Sequence, residues 1–347
     1  MAQITKRTTT NIRLPLLVTG VAGVAGYNAF TYFRAMYPGQ VIGIRQVDNW
    51  RLSQPGIEAC NAEDRTMLAK LFDRYQFSSV LNCAGNCALR ACELDTRLAW
   101  RTNVEGLTTI LSIIADKDIR LVHASIDLVF AGRDDADSDW EGYSQYEATN
   151  PVTVYGKTMV AAEQLLHDWH PQACTLRISL PMGISFNGHA GAIDWIQSRF
   201  MKNRPATLYF DEVRTPTYTD CLNRVFANVL AGRLSGLYHA GGPRRLSLYQ
   251  IAQIINRVGG YDPDLLIGCP RIEAGPIPPR AGNVAMNSAP LAKALGYEPF
   301  DPWPLDDKWA PTHERWHYDG LRGSPELLAE ILYRNPRTPS VAQSIPE

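Results

Sequence analysis

Apolar positions along the chain gather into short unbroken runs, and between the runs they recur at helical spacing. Residues 14–18 form the first run and read as a buried parallel strand; residues 27–37 carry a helical pattern that Pro38 and Gly39 stop. Residues 41–44 make a short second strand, and 63–75 an amphipathic helix. Residues 79–83 are another apolar strand, 94–115 a long helical stretch, 121–125 a strand, 156–169 a helix and 174–180 a strand. Strand and helix in alternation predict βαβ units, a parallel sheet covered by helices on both faces, and a ligand at the carboxyl ends of the strands. Near Pro181 the pattern changes. The rest of the chain is proline-rich, with strand-like pieces at 206–210 and 236–240 and helical ones at 248–258 and 289–295.

These patterns predict an α/β protein. Residues 1–180 are expected to form a Rossmann-type doubly wound parallel sheet, completed by strands near 206–240, and residues 181–347 mainly a smaller, loop-rich substrate domain. No internal repeat and no low-complexity tract interrupts the chain.

The turn after the first strand carries Gly20, Gly23 and Gly26. In a strand–turn–helix context the first glycine permits a tight turn. The second lets the backbone approach a pyrophosphate, and the third lets the helix pack close on the strand. The helix N-terminus then faces the anion. Gly20, Ala22, Gly23, Val24, Ala25 and Gly26 are accordingly the expected phosphate-binding residues. Arg45 ends the second strand, where a dinucleotide fold meets the adenosine ribose; arginine there suits the 2′-phosphate of NADP(H). Arg51 could assist, Asp48 lies nearby, and NAD(H) is the alternative cofactor; a solvated surface arginine is the other reading of Arg45. Cys83, Ala84 and Gly85 end the third apolar strand, where small residues let the backbone pass close to an adenosine, and Asn86 follows as a substrate-side candidate.

Composition narrows the picture. The chain has 347 residues, 45% hydrophobic and 20% charged, with 34 basic against 35 acidic side chains and a net charge of -1. This is an ordinary globular composition, and nothing in it favours nucleic acid or an anionic membrane as partner. No run reaches the length of a membrane span, and residues 1–13 lack the apolar stretch of a secretory signal. Seven cysteines without such a signal point to reduced thiols and a cytoplasmic setting. Cys83, Cys87 and Cys92 lie close together, but their spacing matches no familiar cluster run and small buried hydrophobes are the simpler reading.

Five segments in order resemble one family. Thr19-Gly20-x-x-Gly23-x-x-Gly26 is similar to the glycine pattern of extended short-chain dehydrogenase/reductases. The run from His123 to Gly132 resembles the active-site strand of dTDP-4-dehydrorhamnose reductases, as does Tyr146 to Pro151 leading into Val154-Tyr155-Gly156-Lys157-Thr158. Asp211 to Tyr218 and Gly236 to Gly242 resemble that family's substrate-domain segments. The resemblance implies a nucleotide-sugar reductase or epimerase in which Tyr155 is the acid, Ser125 an orienting hydroxyl, Asn103 a helper of the cofactor site and Arg214 a ligand of a substrate phosphate. A structural ion pair is the alternative for Arg214, and lining of the cofactor pocket the alternative for Tyr155. In the family a lysine four residues after the tyrosine lowers a phenol pKa of ordinarily ~10. Here that position is Met159, and Lys157 lies about 200° round the helix. The family's Ser-Thr-Asp is Ser125-Ile126-Asp127, so the usual hydroxyl has become Ile126.

These departures support a second expectation, a non-catalytic cofactor-binding subunit that regulates or scaffolds a partner enzyme. The regulatory subunit of methionine adenosyltransferase is a relative of that kind. The expected partners are thus a nucleotide-sugar substrate and either a second copy of the chain or another enzyme. Finally, His313-Glu314-Arg315-Trp316-His317 fits the zinc pattern H-E-x-x-H. Pro311 and Gly320 bracket it, so a capped aromatic turn is the expectation and no metal site is assigned.

Overall fold

The computed structural model describes residues 11–85, 87–134, 140–188, 191–232 and 234–333. The first half runs β1 (Leu16–Thr19), α1 (Val24–Met36), β2 (Val41–Arg45), β3 (Ile57–Ala59), α2 (Arg65–Tyr75), β4 (Ser79–Asn82), α3 (Leu89–Leu94), α4 (Thr96–Trp100), a π-helical turn (Arg101–Glu105), α5 (Gly106–Ile114), β5 (Arg120–Ile126) and α6 (Val154–Trp169). It continues with β6 (Cys174–Ile178), β7 (Pro181–Met182), α7 (Ala192–Met201), β8 (Ala206–Tyr209), β9 (Val213–Arg214), β10 (Thr217–Tyr218), α8 (Thr219–Ala231), β11 (Gly236–Ala240), β12 (Leu246–Ser247), α9 (Leu248–Val258), β13 (Leu266–Cys269), α10 (Ala289–Leu295) and α11 (Trp316–Asp319).

Seven strands form one parallel sheet in the order β11-β6-β5-β4-β1-β2-β3. The chain reverses its direction of growth between β1 and β4, the switch point where a doubly wound sheet opens a crevice. Side chains alternate across the sheet, so each central strand feeds two cores. Leu16, Val18, Leu81 and Val122 belong to one apolar cluster with α1 and α8; Leu17, Val80 and Leu121 belong to the other with α2, α5 and α6. This double burial is why these strands are unbroken apolar runs.

The expected Rossmann sheet is present, with differences of detail. β11 joins it at the edge, whereas residues 206–210, expected to complete it, supply β8, which pairs with β13 in a separate two-stranded sheet. α1 begins at Val24, so Gly26 lies inside its first turn. The single helix expected over 94–115 is broken at Asp95, whose carboxylate accepts from the Leu98 amide and starts a new helix. The smaller domain is built from β8/β13, β9/β12, α7 and α9, while α8 returns to cover the sheet.

Two histidines sit wholly inside the sheet layer. Burial pushes His123 down to about 4, and burial with the neighbouring Arg177 pushes His239 down to about 3. Unfolded histidine titrates near ~6.5, so below that pH the unfolded chain binds more protons. Their contribution to stability is complete above pH ~6.5 and is lost as the pH falls toward the folded values. We expect the urea midpoint to fall between pH 6.5 and pH 4.5, with a slope approaching about 1.4 kcal/mol per pH unit for each histidine. His123→Gln should flatten it; an unchanged slope would contradict the assignment.

Candidate functional site

The three glycines occupy the turn for three different reasons. Gly20 has φ +68, and a Cβ on it would stand 2.1 Å from the Cys83 carbonyl oxygen, so β1 and β4 meet there only because the side chain is absent. A Cβ on Gly26 would stand 2.3 Å from the Gly20 oxygen, which holds α1 against the turn. A Cβ on Gly23 would meet only the Gly20 oxygen, at 3.5 Å; nothing in the fold forbids it, and the space beside it is open. Gly23 is the N-cap of α1, no side chain caps the helix and no acid lies in its first turn. The amides of the first turn are therefore available to an anion. Val24 and Ala25 turn their side chains into the core and offer only backbone.

A cavity of about 260 Å³ opens here, lined among others by Thr19, Gly20, Ala22, Gly23, Arg45, Gln46, Asn49, Glu63, Ala84 and Gly85. Its floor is braced across the switch point: the Thr19 hydroxyl donates to Asn82 Oδ1 at 2.5 Å, and the Asn82 amide lies 3.0 Å from His123 Nδ1. Arg45 stands at its rim, its guanidinium donating to the carbonyls of Gln46 and Val47 at 2.9 and 3.1 Å. Arg51 lies over Trp50 instead, and Glu63 is paired with Arg101 at 3.5 Å. Burial pushes the Cys83 thiol up to about 12, which leaves it an inert wall.

Beyond Gly85 the wall changes character. A Cβ on Gly85 would lie 3.6 Å from the Tyr155 hydroxyl oxygen and 3.9 Å from the Met159 sulfur. Tyr155, Met159 and Ile126 share one apolar cluster, so the three positions of the expected catalytic trio come together with one phenol and two hydrocarbon-like side chains. Burial, then neighbouring Cys87 and Asp127, hold the Tyr155 phenol well above its ordinary value, and Arg214 opposes them only in part. Asn103 lies on the π-helical turn and donates to the Thr158 hydroxyl at 2.8 Å, which fastens α6 from beneath.

Two assignments are corrected by the geometry. The Ser125 hydroxyl donates to Glu163 at 2.5 Å, and Glu163 also receives Arg177 at 2.9 and 2.7 Å; neighbouring strand residues face opposite sides, so Ser125 turns to α6 and Ile126 to the Tyr155 cluster. It is not an orienting hydroxyl for a carbonyl beside Tyr155. Arg214 is buried, with its guanidinium 2.6 Å from Asp127 and 3.1 Å from Glu212. It ties the turn after β5 to the smaller domain, the structural ion pair rather than the phosphate ligand. Asn86 lies outside the described residues.

The H-E-x-x-H run forms no metal-binding helix face. α11 begins only at Trp316, and His317 is buried with its Nδ1 3.0 Å from the Gln253 amide nitrogen. Among the described residues no cluster of three or more His, Cys, Asp or Glu could hold a metal ion. Sequence reasoning missed Asn82, Gln46, Asn49 and Glu63; the position of Asn82 at the end of an apolar strand was the available signal.

Sheet order, switch-point crevice and glycine turn define a Rossmann-type protein of the extended short-chain dehydrogenase/reductase architecture. Residues 16–304 match the family model described as the RmlD substrate binding domain, and the chain belongs to that family. It is 26% identical over 271 residues to a dTDP-4-keto-6-deoxy-D-glucose reductase of Streptomyces niveus, covering 76% of this chain and 86% of the relative. It is 23% identical over 312 residues to methionine adenosyltransferase 2 subunit beta of Danio rerio, covering 87% and 92%. The structure of a dTDP-4-dehydrorhamnose reductase from Bacillus anthracis in complex with NADP superposes with a TM-score of 0.67 at 18% identity, over 83% of this chain and 95% of that one. Among the described residues no helix is long and apolar enough to cross a membrane.

Proposed function

We propose that the protein binds NADP(H) at the glycine turn and reduces a nucleotide-linked 4-keto-6-deoxy sugar, with Tyr155 as its proton donor. The observation that carries this reading is the placement of the Tyr155 hydroxyl against Gly85, at the end of a cleft whose other end is Gly20, Gly23 and the uncapped amides of α1. Gly20 to Gly26 would hold the diphosphate and Arg45 the 2′-phosphate; the cofactor, when bound, supplies hydride. Tyr155 would donate its proton to the substrate's carbonyl oxygen. A phenol held above its ordinary pKa stays neutral at working pH, which suits donation and disfavours proton abstraction. The reductive direction is therefore favoured over oxidation, and reduction over epimerisation.

Arg45→Ala is expected to weaken NADPH binding about tenfold and to leave NADH binding nearly unchanged, the loss of one charge-assisted contact. Calorimetry with both cofactors checks it. Equal losses for the two would show that Arg45 does not read the 2′-phosphate.

A second reading is favoured by Ile126 and Met159, both buried in the Tyr155 cluster where the family resemblance implies a hydroxyl and a cation. On this reading the protein binds the dinucleotide and regulates a partner without turnover. The two separate in one experiment: NADPH absorbance is followed with a panel of nucleotide-linked 4-keto sugars. Consumption matched by sugar reduction supports the reductase. Tight NADPH binding with no consumption across the panel overturns it and leaves the regulatory role.

A further inference from the structure

The two ends of the cleft differ in what they offer a ligand. At one end stand the Arg45 guanidinium, the side chains of Gln46 and Asn49, and the first-turn amides of α1. The one acid there, Glu63, is neutralised by Arg101 at 3.5 Å. At the other end stand Ile126 and Met159, and one hydroxyl, that of Tyr155. Met159 is 1% exposed and turns its sulfur toward Gly85, on the same face of α6 as Tyr155 one turn earlier. A thioether has no donor and is a weak acceptor, so it can hold neither hydroxyl of a ribose firmly. The cavity of about 260 Å³ extends from Arg45 to Gly85 and no further, less than the ~300–1,000 Å³ that a site for a whole ligand usually has.

We infer that this cleft recognises the adenosine half of its ligand, so that the ligand class it selects is a 2′-phosphorylated adenosine diphosphate whether or not a nicotinamide riboside is attached, and that Met159 is the residue that sets this preference. The inference rests on the dinucleotide reading of the cleft and adds to it where the affinity resides. Its consequence is that the nicotinamide end stays loosely held until a substrate packs against it. The protein then responds to the phosphorylated adenosine more than to the oxidation state of the nicotinamide.

The test is calorimetric titration of the full chain with NADPH, with 2′-phosphoadenosine 5′-diphosphate and with nicotinamide mononucleotide, on the native protein and on Met159→Lys. In the native protein the adenosine fragment should bind within about threefold of NADPH, and the nicotinamide fragment should give no heat at millimolar concentration. Met159→Lys should tighten NADPH about tenfold, as one charged hydrogen bond would, and leave the adenosine fragment unchanged. Met159→Gln, neutral and nearly isosteric, is the companion variant should the buried lysine unfold the chain, and should tighten NADPH about threefold. An adenosine fragment more than about thirtyfold weaker than NADPH overturns the inference while leaving the dinucleotide reading intact. So does a folded Met159 variant that alters both ligands alike or neither. Failure of both NADPH and the adenosine fragment to bind removes the dinucleotide reading and the inference with it.

Discussion

Ile126→Thr combined with Met159→Lys is expected to raise NADPH-dependent reduction of a 4-keto nucleotide sugar by about two orders of magnitude. The two positions lie in one cluster with Tyr155, and Met159 already turns its end toward Gly85, where the Tyr155 hydroxyl also points. A lysine there would place an ammonium beside a phenol that burial now holds far up its scale, bring it nearer the working pH and give the ribose a donor. A threonine at 126 would give the carbonyl oxygen a second hydrogen bond. Positioned acid–base groups contribute roughly 10²–10⁴-fold, and the double change restores two of three. The single changes should give less than the product, because groups acting on one transition state are not additive. Steady-state rates for the four proteins check this. A double variant that binds NADPH tightly and gains no turnover would show that the substrate side of the cleft has a different shape.

Arg214→Met should be the most destabilising single change considered, by about 3–5 kcal/mol. It removes the cation between Asp127 and Glu212, both fully buried, and leaves two carboxylates without their main partner. Arg280 is the remaining cation, 3.6 Å from Glu212 and not on Asp127. Arg13→Met, which breaks an exposed pair with Asp118, should lose less than about 1 kcal/mol by comparison. Urea unfolding of the two variants makes the contrast. Equal small losses would mean that the buried cluster is dispensable.

How far the residues announced this arrangement depended on whether the cause was local. The glycine turn was legible because spacing, strand and helix all lie within one short segment, and each glycine then proved to answer a separate steric demand. The replacements at Ile126 and Met159 were legible for the same reason. The π-helical turn at 101–105 and the break at Asp95 were not, since one capping carboxylate divides an apolar pattern that otherwise runs on. α8 carries Leu222, Val225, Phe226 and Val229 at helical spacing but starts directly from the strand residue Tyr218 with no side-chain cap to mark it. Pairing partners were out of reach where contact is remote. β8 pairs with β13, and Arg214 meets Asp127 across 87 positions, so nothing near either one distinguished the outcome. Ser125 was misassigned because its hydroxyl is identified only by the carboxylate it meets, Glu163 on another element.

The account turns on backbone amides at the start of α1 receiving a diphosphate, and Gly23 is the place to ask. A Cβ there disturbs nothing but an ordinary contact with the Gly20 oxygen, so Gly23→Asp should fold with an unchanged melting temperature while placing a carboxylate where the diphosphate belongs. Calorimetric titration of NADPH into the native protein should show one site per chain, and the same titration into the variant should show affinity lower by at least about a hundredfold. No binding to the native protein, or equal binding to both, would contradict it.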